Sequence, residues 1–136
     1  MMRIFGLATI LIGVLSAGSV AAQSFNTSRL YTEASFAQAI RPYTDAIARN
    51  ANDADAHHWL GIAYLHVAKL RRLGLTSFGQ DALARATSSL ERAMTLRPRL
   101  ATLMPLLDAY MMAGDLEKWR AAVERGFTLA PQLPLK

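Results

Sequence analysis

The sequence predicts an all-α domain of antiparallel helix-turn-helix repeats, stacked as a short α-solenoid of about two and a half repeats. Three observations predict it. Helical periodicity recurs along most of the 136 residues, while no stretch alternates for long as a strand would. Met94-Thr95-Leu96-Arg97-Pro98 matches Phe127-Thr128-Leu129-Ala130-Pro131 at an offset of 33 residues. Leu60-Gly61-Ile62-Ala63-Tyr64 matches Leu106-Leu107-Asp108-Ala109-Tyr110 at an offset of 46. The difference of 13 places an insertion between Tyr64 and Ala86.

The first 22 residues read as an address rather than as part of the fold. Arg3 precedes an apolar run from Ile4 to Leu15, and Ser16 to Ala22 are mostly small. That order is the order of a secretory signal, with Val20 and Ala22 at the −3 and −1 subsites and the cut between Ala22 and Gln23. An uncleaved anchor is the competing reading, since Ile4 to Ala22 is 19 uncharged residues. Removing residues 1–22 leaves 114 residues and, with Arg3 gone, lowers the net charge from +5 to +4. A periplasmic or secreted location is expected. Residues 23–34 form a lead-in, 35–131 the helical domain with its insertion around 70–82, and 132–136 a tail.

Ser35 and Gln38 have capping-box spacing, and Phe36, Ile40, Tyr43 and Ile47 form the stripe of the first helix. Pro42 inside that stripe predicts a kink, or a split at Arg41. Asp53 or Asp55 caps the second helix, whose His57, Leu60, Tyr64 and Val67 recur at helical spacing, and Gly74 stops it. Leu75 to Gln80 is a loop. Asp81 caps a third helix, which ends at Arg97-Pro98. A fourth runs from about Thr102 to Met112, with Pro105 placed in its first turn. Asp115 caps the fifth, in which Trp119, Val123 and Phe127 are expected to face inward. Pro131 and Pro134 then forbid a helical tail, so the Leu133–Leu135 segment, a partner or a second copy is expected to cover the C-terminal edge.

Cysteine is absent, which excludes disulfides, thiolate metal sites and a cysteine nucleophile. His57 and His58 leave a helix about 100° apart, and His58 and His66 lie about 12 Å apart along its axis, so neither pair chelates one ion. Asp55 and His58 form an i, i+3 pair that supports the helix. No nucleophile elbow, phosphate loop or nucleic-acid motif is present. No catalytic residue, metal or cofactor is therefore predicted. Lys69, Arg71 and Arg72 sit at the negative end of the second helix, and otherwise offer a contact for an acidic partner, anionic lipid or cell-wall polymer. Phe78 is the one large aromatic residue of the loop, expected to fold back on the array or to reach a partner.

These residues resemble the tetratricopeptide repeat family. One repeat offers Leu60-Gly61, Tyr64, Ala86, Leu90, Ala93 and Pro98, with His57 at the signature tryptophan. The next offers Leu106, Tyr110, Gly114, Val123, Gly126 and Pro131, and departs at Leu107 and Trp119, where small residues are usual. Ala39, Tyr43 and Ala46 match the second helix of a leading partial repeat. The resemblance implies a concave groove lined by Asp55, His58, Ile62, Leu65 and His66, continued by Met104, Asp108, Met111 and Met112. None of the nine is lysine, arginine or asparagine, so clamping of a terminal carboxylate is disfavoured. An apolar, methionine-bearing groove suits adaptable binding of apolar anchors. The expected function is a non-catalytic adaptor of the bacterial cell envelope that binds another protein through this groove or an array end. The alternatives are a basic envelope-surface binder and an accessory subunit that stabilises an enzyme complex.

Overall fold

A computed structural model describes residues 23–130. The expected signal with its cut site, and the tail from Pro131 onward, lie outside the described residues. Five helices follow one another: α1 (Glu33–Arg49), α2 (Ala54–Arg72), α3 (Ala82–Leu96), α4 (Leu100–Ala113) and α5 (Leu116–Leu129). The described residues contain no strand. Each helix packs on its neighbours in sequence, α2 most extensively on α3, and α2 also touches α4.

Side-chain contacts give the helix directions. Arg92 of α3 donates to Asn52 just before α2 (2.8 Å), while Gly79 before α3 lies against Val67 near the end of α2. The two helices therefore run antiparallel. His58 meets Thr102 and Lys69 pairs with Asp108, so α2 and α4 run parallel. Lys118 reaches Glu91 (3.4 Å) and Arg125 reaches the Met94 carbonyl (3.5 Å), so α3 and α5 also run parallel.

Local chemistry sets most of the helix ends. The Asp53 carboxylate accepts from the Ala56 amide (2.9 Å) and Asp115 accepts from the Lys118 amide (3.1 Å), satisfying first-turn donors. At the end of α2, Gly74 takes φ 72°, and the Leu75 amide returns to the Leu70 carbonyl (2.8 Å) in a Schellman closure. Four sequence expectations fail here. Thr32, not Ser35, caps α1: the Ser35 amide donates to Thr32 Oγ1 (3.1 Å) and the Thr32 amide to Ser35 Oγ (2.9 Å). Helix α1 runs unbroken through Pro42, at a position where Pro42 and Gln38, whose carbonyl loses its helical donor, are both exposed residues. Asp81 makes no cap bond and pairs instead with Arg85 (2.5 Å). Helix α4 begins at Leu100, which moves Pro105 into the second turn and leaves the Ala101 carbonyl without its helical donor.

The interior forms three adjoining clusters. Leu90, Met94, Leu103, Leu106 and Tyr110 fill the middle of the α3–α4–α5 region. Leu65, Ala86 and Ala109 pack where α2, α3 and α4 meet. The close α2–α3 approach depends on Gly61, where an added Cβ would lie 2.5 Å from Leu90 Cγ and 3.1 Å from the Leu90 backbone nitrogen.

The third cluster is aromatic and includes the lead-in. Phe25 and Tyr31 are buried and stacked (5.1 Å between centroids), and both meet Phe36 edge-on. The Tyr43 hydroxyl donates to the Gln23 carbonyl, and His66 Nε2 lies 2.9 Å from the Arg29 carbonyl. Phe78 folds back onto this cluster, 5.7 Å from Phe36, and Arg71 donates to the Ser77 carbonyl (2.6 Å). Helix α2 thus runs to Arg72, and the loop that follows is pinned at both Ser77 and Phe78.

Helix α5 departs from expectation. Ala122 is its only buried residue, Trp119 and Val123 are half-buried, and Phe127 is exposed. Leu107 and Trp119 are both half-buried, pack against the cluster around Leu103 and Leu106, and line a common cleft beside α4 and α5.

Candidate partner-binding site

The parallel pair α2 and α4 brings most of the predicted groove residues to one side of the molecule. Ile62, Leu65 and His66 from α2 face Pro105 and Asp108 from α4, with Thr27 of the lead-in at one end of a cleft of about 390 Å³. Lys69 pairs with Asp108 across this cleft. A second cleft of about 500 Å³ lies on the other side of Pro105 and Asp108, lined by Met104, Leu107, Met111 and Trp119. Met104 and Met111 are exposed, and Leu107 and Trp119 half-buried, so this cleft presents thioethers and an indole over an apolar floor.

Four of the nine predicted groove residues do other work. His58 is buried, with Nδ1 2.8 Å from the Thr102 hydroxyl. Arg99 Nε donates to the same hydroxyl (3.1 Å), so the hydroxyl hydrogen is directed to His58 Nδ1 and the ring proton sits on Nε2. Burial first, then the charge of Arg99, pushes the His58 pKa down to about 4. Asp55 does not pair with His58 as expected; its carboxylate accepts from Arg99 (2.8 Å) and Arg97, tying the start of α2 to the α3–α4 connection. Leu65 is buried and forms only the floor of the first cleft. Met112 turns away from Met104 and Met111 and packs among Ala68, Leu83 and the aromatic cluster.

The basic trio is divided in the same way. Lys69 is committed to Asp108 and Arg71 to the Ser77 carbonyl, while Arg72 is exposed beside Arg71 and Gln80. The three side chains do not form one cationic surface. Among the described residues, no three His, Asp or Glu side chains gather as metal ligands.

The sequence reading missed the lead-in as a wall of the first cleft. Its signal was present as Phe25 and Tyr31, two aromatic residues in a short polar stretch ahead of α1. It also missed the polar chain His58–Thr102–Arg99–Asp55, whose members lie 44 residues apart in sequence.

Comparison with models of known protein families, with curated proteins and with solved structures gives no match.

Proposed function

We propose that this chain is a non-catalytic adaptor of the bacterial cell envelope, a short α-solenoid of tetratricopeptide-like repeats that holds a partner protein on its α2–α4–α5 side. The alternation of helix directions supports the repeat reading. The observation that carries the binding reading is the pair of clefts sharing Pro105 and Asp108, one of them lined by exposed Met104 and Met111 beside Trp119. Exposed apolar side chains gathered in one concavity mark interaction sites rather than ordinary surface. Pro105 and Ala101, whose carbonyl loses its helical donor to the proline, both line the first cleft. The partner surface is therefore Ile62, His66, Met104, Asp108 and Met111, with His58, Leu65 and Met112 supporting it from within.

Export is part of the same proposal. A cut between Ala22 and Gln23 would spare every lead-in contact, including the Tyr43–Gln23 bond. Mass spectrometry of the mature N-terminus tests it, and intact Met1 in a membrane fraction would overturn it.

Binding is tested by a photo-crosslinking residue at Met104, with exposed Gln38 on α1 as control. The captured protein is then purified and its affinity measured by calorimetry. The expected result is a saturable complex weakened at least tenfold by Met104→Glu with Met111→Glu, and changing little with salt. Affinity that ignores the double variant and collapses with salt sinks the reading in favour of charge-driven surface binding.

A further inference from the structure

The two internal offsets set up a comparison between corresponding positions of the two repeats. At an offset of 46, His58 corresponds to Met104 and Leu65 to Met111. At an offset of 33, Met94 corresponds to Phe127. In the first repeat these positions are covered: His58 is 4% exposed, Leu65 4% and Met94 1%. In the second repeat they are open: Met104 is 63% exposed, Met111 56% and Phe127 74%. The exposed side chains of the second repeat thus occupy the register that the first repeat buries. Within the described residues, no helix follows α5 to cover them.

What covers the first repeat is known in detail. Helix α4 lies parallel to α2 and sets a small residue at His58 and another at Leu65. Thr102 meets His58, and Ala109 packs in one cluster with Leu65; both are fully buried. Thr102 and Ala109 are seven residues apart, two turns along one face of α4. Small side chains at that spacing let the covering helix come close.

We infer that the Met104–Met111–Phe127 face receives an amphipathic α-helix from a partner protein, stacked parallel to α4 as α4 is stacked on α2, with small residues at i and i+7 opposite Met104 and Met111. This rests on the adaptor reading above and specifies its occupant. One change of chemistry follows from the register. Thr102 suits a histidine, but Met104 offers no hydrogen bond, so the partner residue opposite it is apolar, alanine or glycine rather than threonine. A second copy of this chain fits less well. Two-fold pairing sets the same patch on both sides and opposes bulky to bulky, with Leu107, Met111 and Trp119 facing their own copies and no small residues to receive them.

The probe is a hydrocarbon-stapled, fluorescein-labelled helix of residues 99–113 carrying Pro105→Ala and Thr102→Ala. A second probe carries Thr102→Leu and Ala109→Leu in its place. Anisotropy gives affinity, and Trp119 fluorescence with methionine-methyl NMR shifts gives location. We expect the small-residue helix to bind the full chain one to one, shifting Met104, Met111 and Trp119. The bulky helix should bind at least tenfold more weakly, and Met104→Glu with Met111→Glu should weaken the first probe at least tenfold. Both methionines are exposed, and an unchanged melting temperature confirms that the variant is folded. The inference is overturned by no binding, by equal affinity of the two probes, or by binding indifferent to the double variant. It is also overturned if the chain alone dimerises in light scattering and the same variant disperses the dimer. A natural partner that binds this face as an extended segment would sink the stacking inference and leave the adaptor reading standing.

Discussion

Acidification should loosen the junction between α2 and α4 through His58. Its ring is buried, its Nδ1 accepts from Thr102, and Arg97, Arg99 and Asp55 carry the charges around it, with Trp59 edge-on at 4.8 Å. Protonation would give Thr102 a second N–H donor besides Arg99 and set a buried positive charge near two guanidinium groups. A histidine whose pKa falls from 6.5 unfolded to about 4 folded binds its proton more readily in the unfolded chain. Its stabilising contribution is therefore complete above pH 6.5 and is lost as pH falls through 6.5 toward 4. The shift corresponds to about 3 kcal/mol, an upper figure because a strained site relaxes and admits water. The assay is urea unfolding of the wild type and of His58→Gln at several pH values from 7.5 to 4. Every other titratable group is common to both proteins, so the difference in slope isolates His58. The wild type should lose about 2–3 kcal/mol more than His58→Gln over this range. Parallel pH profiles would refute the buried, neutral state of His58.

Three further outcomes follow from packing. Gly61→Ala should cost about 1–3 kcal/mol, since the new methyl group meets the Leu90 backbone as well as its side chain and α2 must move from α3; thermal melting reads it, and an unchanged midpoint counts against the close approach. Gly79→Ala should cost at least about 1 kcal/mol from its φ of 77° alone, with a clash 2.5 Å from Val67 Cγ1 added; limited proteolysis of the 74–81 loop should speed up, and unaltered cutting would show that the loop is not pinned. Tyr43→Phe should cost about 1 kcal/mol and free the lead-in by removing the bond to the Gln23 carbonyl. Hydrogen exchange around Phe25 reports it, and unchanged protection would mean that stacking alone holds the segment.

Helix number, order and most boundaries were legible because they follow from local signals: Asp53 and Asp115 as caps, Gly74 as a stop, and the Arg97-Pro98 end of the third helix. A second helix reaching Arg72 and a loop before Ala82 were both expected, and both are present. What failed depended on contacts distant in sequence. A histidine on the expected groove face reads as exposed until Thr102 and Arg99, 44 and 41 positions later, close over it. Phe25 and Tyr31 carry no periodicity because they lie in irregular chain, so their burial needed α1 and α2 in place. Pro42 was misread for a different reason: the penalty for a helical proline depends on whether the stranded carbonyl meets water, which spacing cannot reveal.

With one buried residue, α5 has fewer buried side chains than any other helix, and opening it alone should require much less free energy than global unfolding. Its amides should exchange with solvent while those of α2 and α3 remain protected. Anything that covers Trp119 and Phe127 must then give up part of its binding free energy to order α5, and its arrival would be registered as slowed exchange along Leu116–Leu129. The cleft beside Trp119 is bounded on one side by the helix that opens most readily, so occupancy of the cleft and order in α5 rise together.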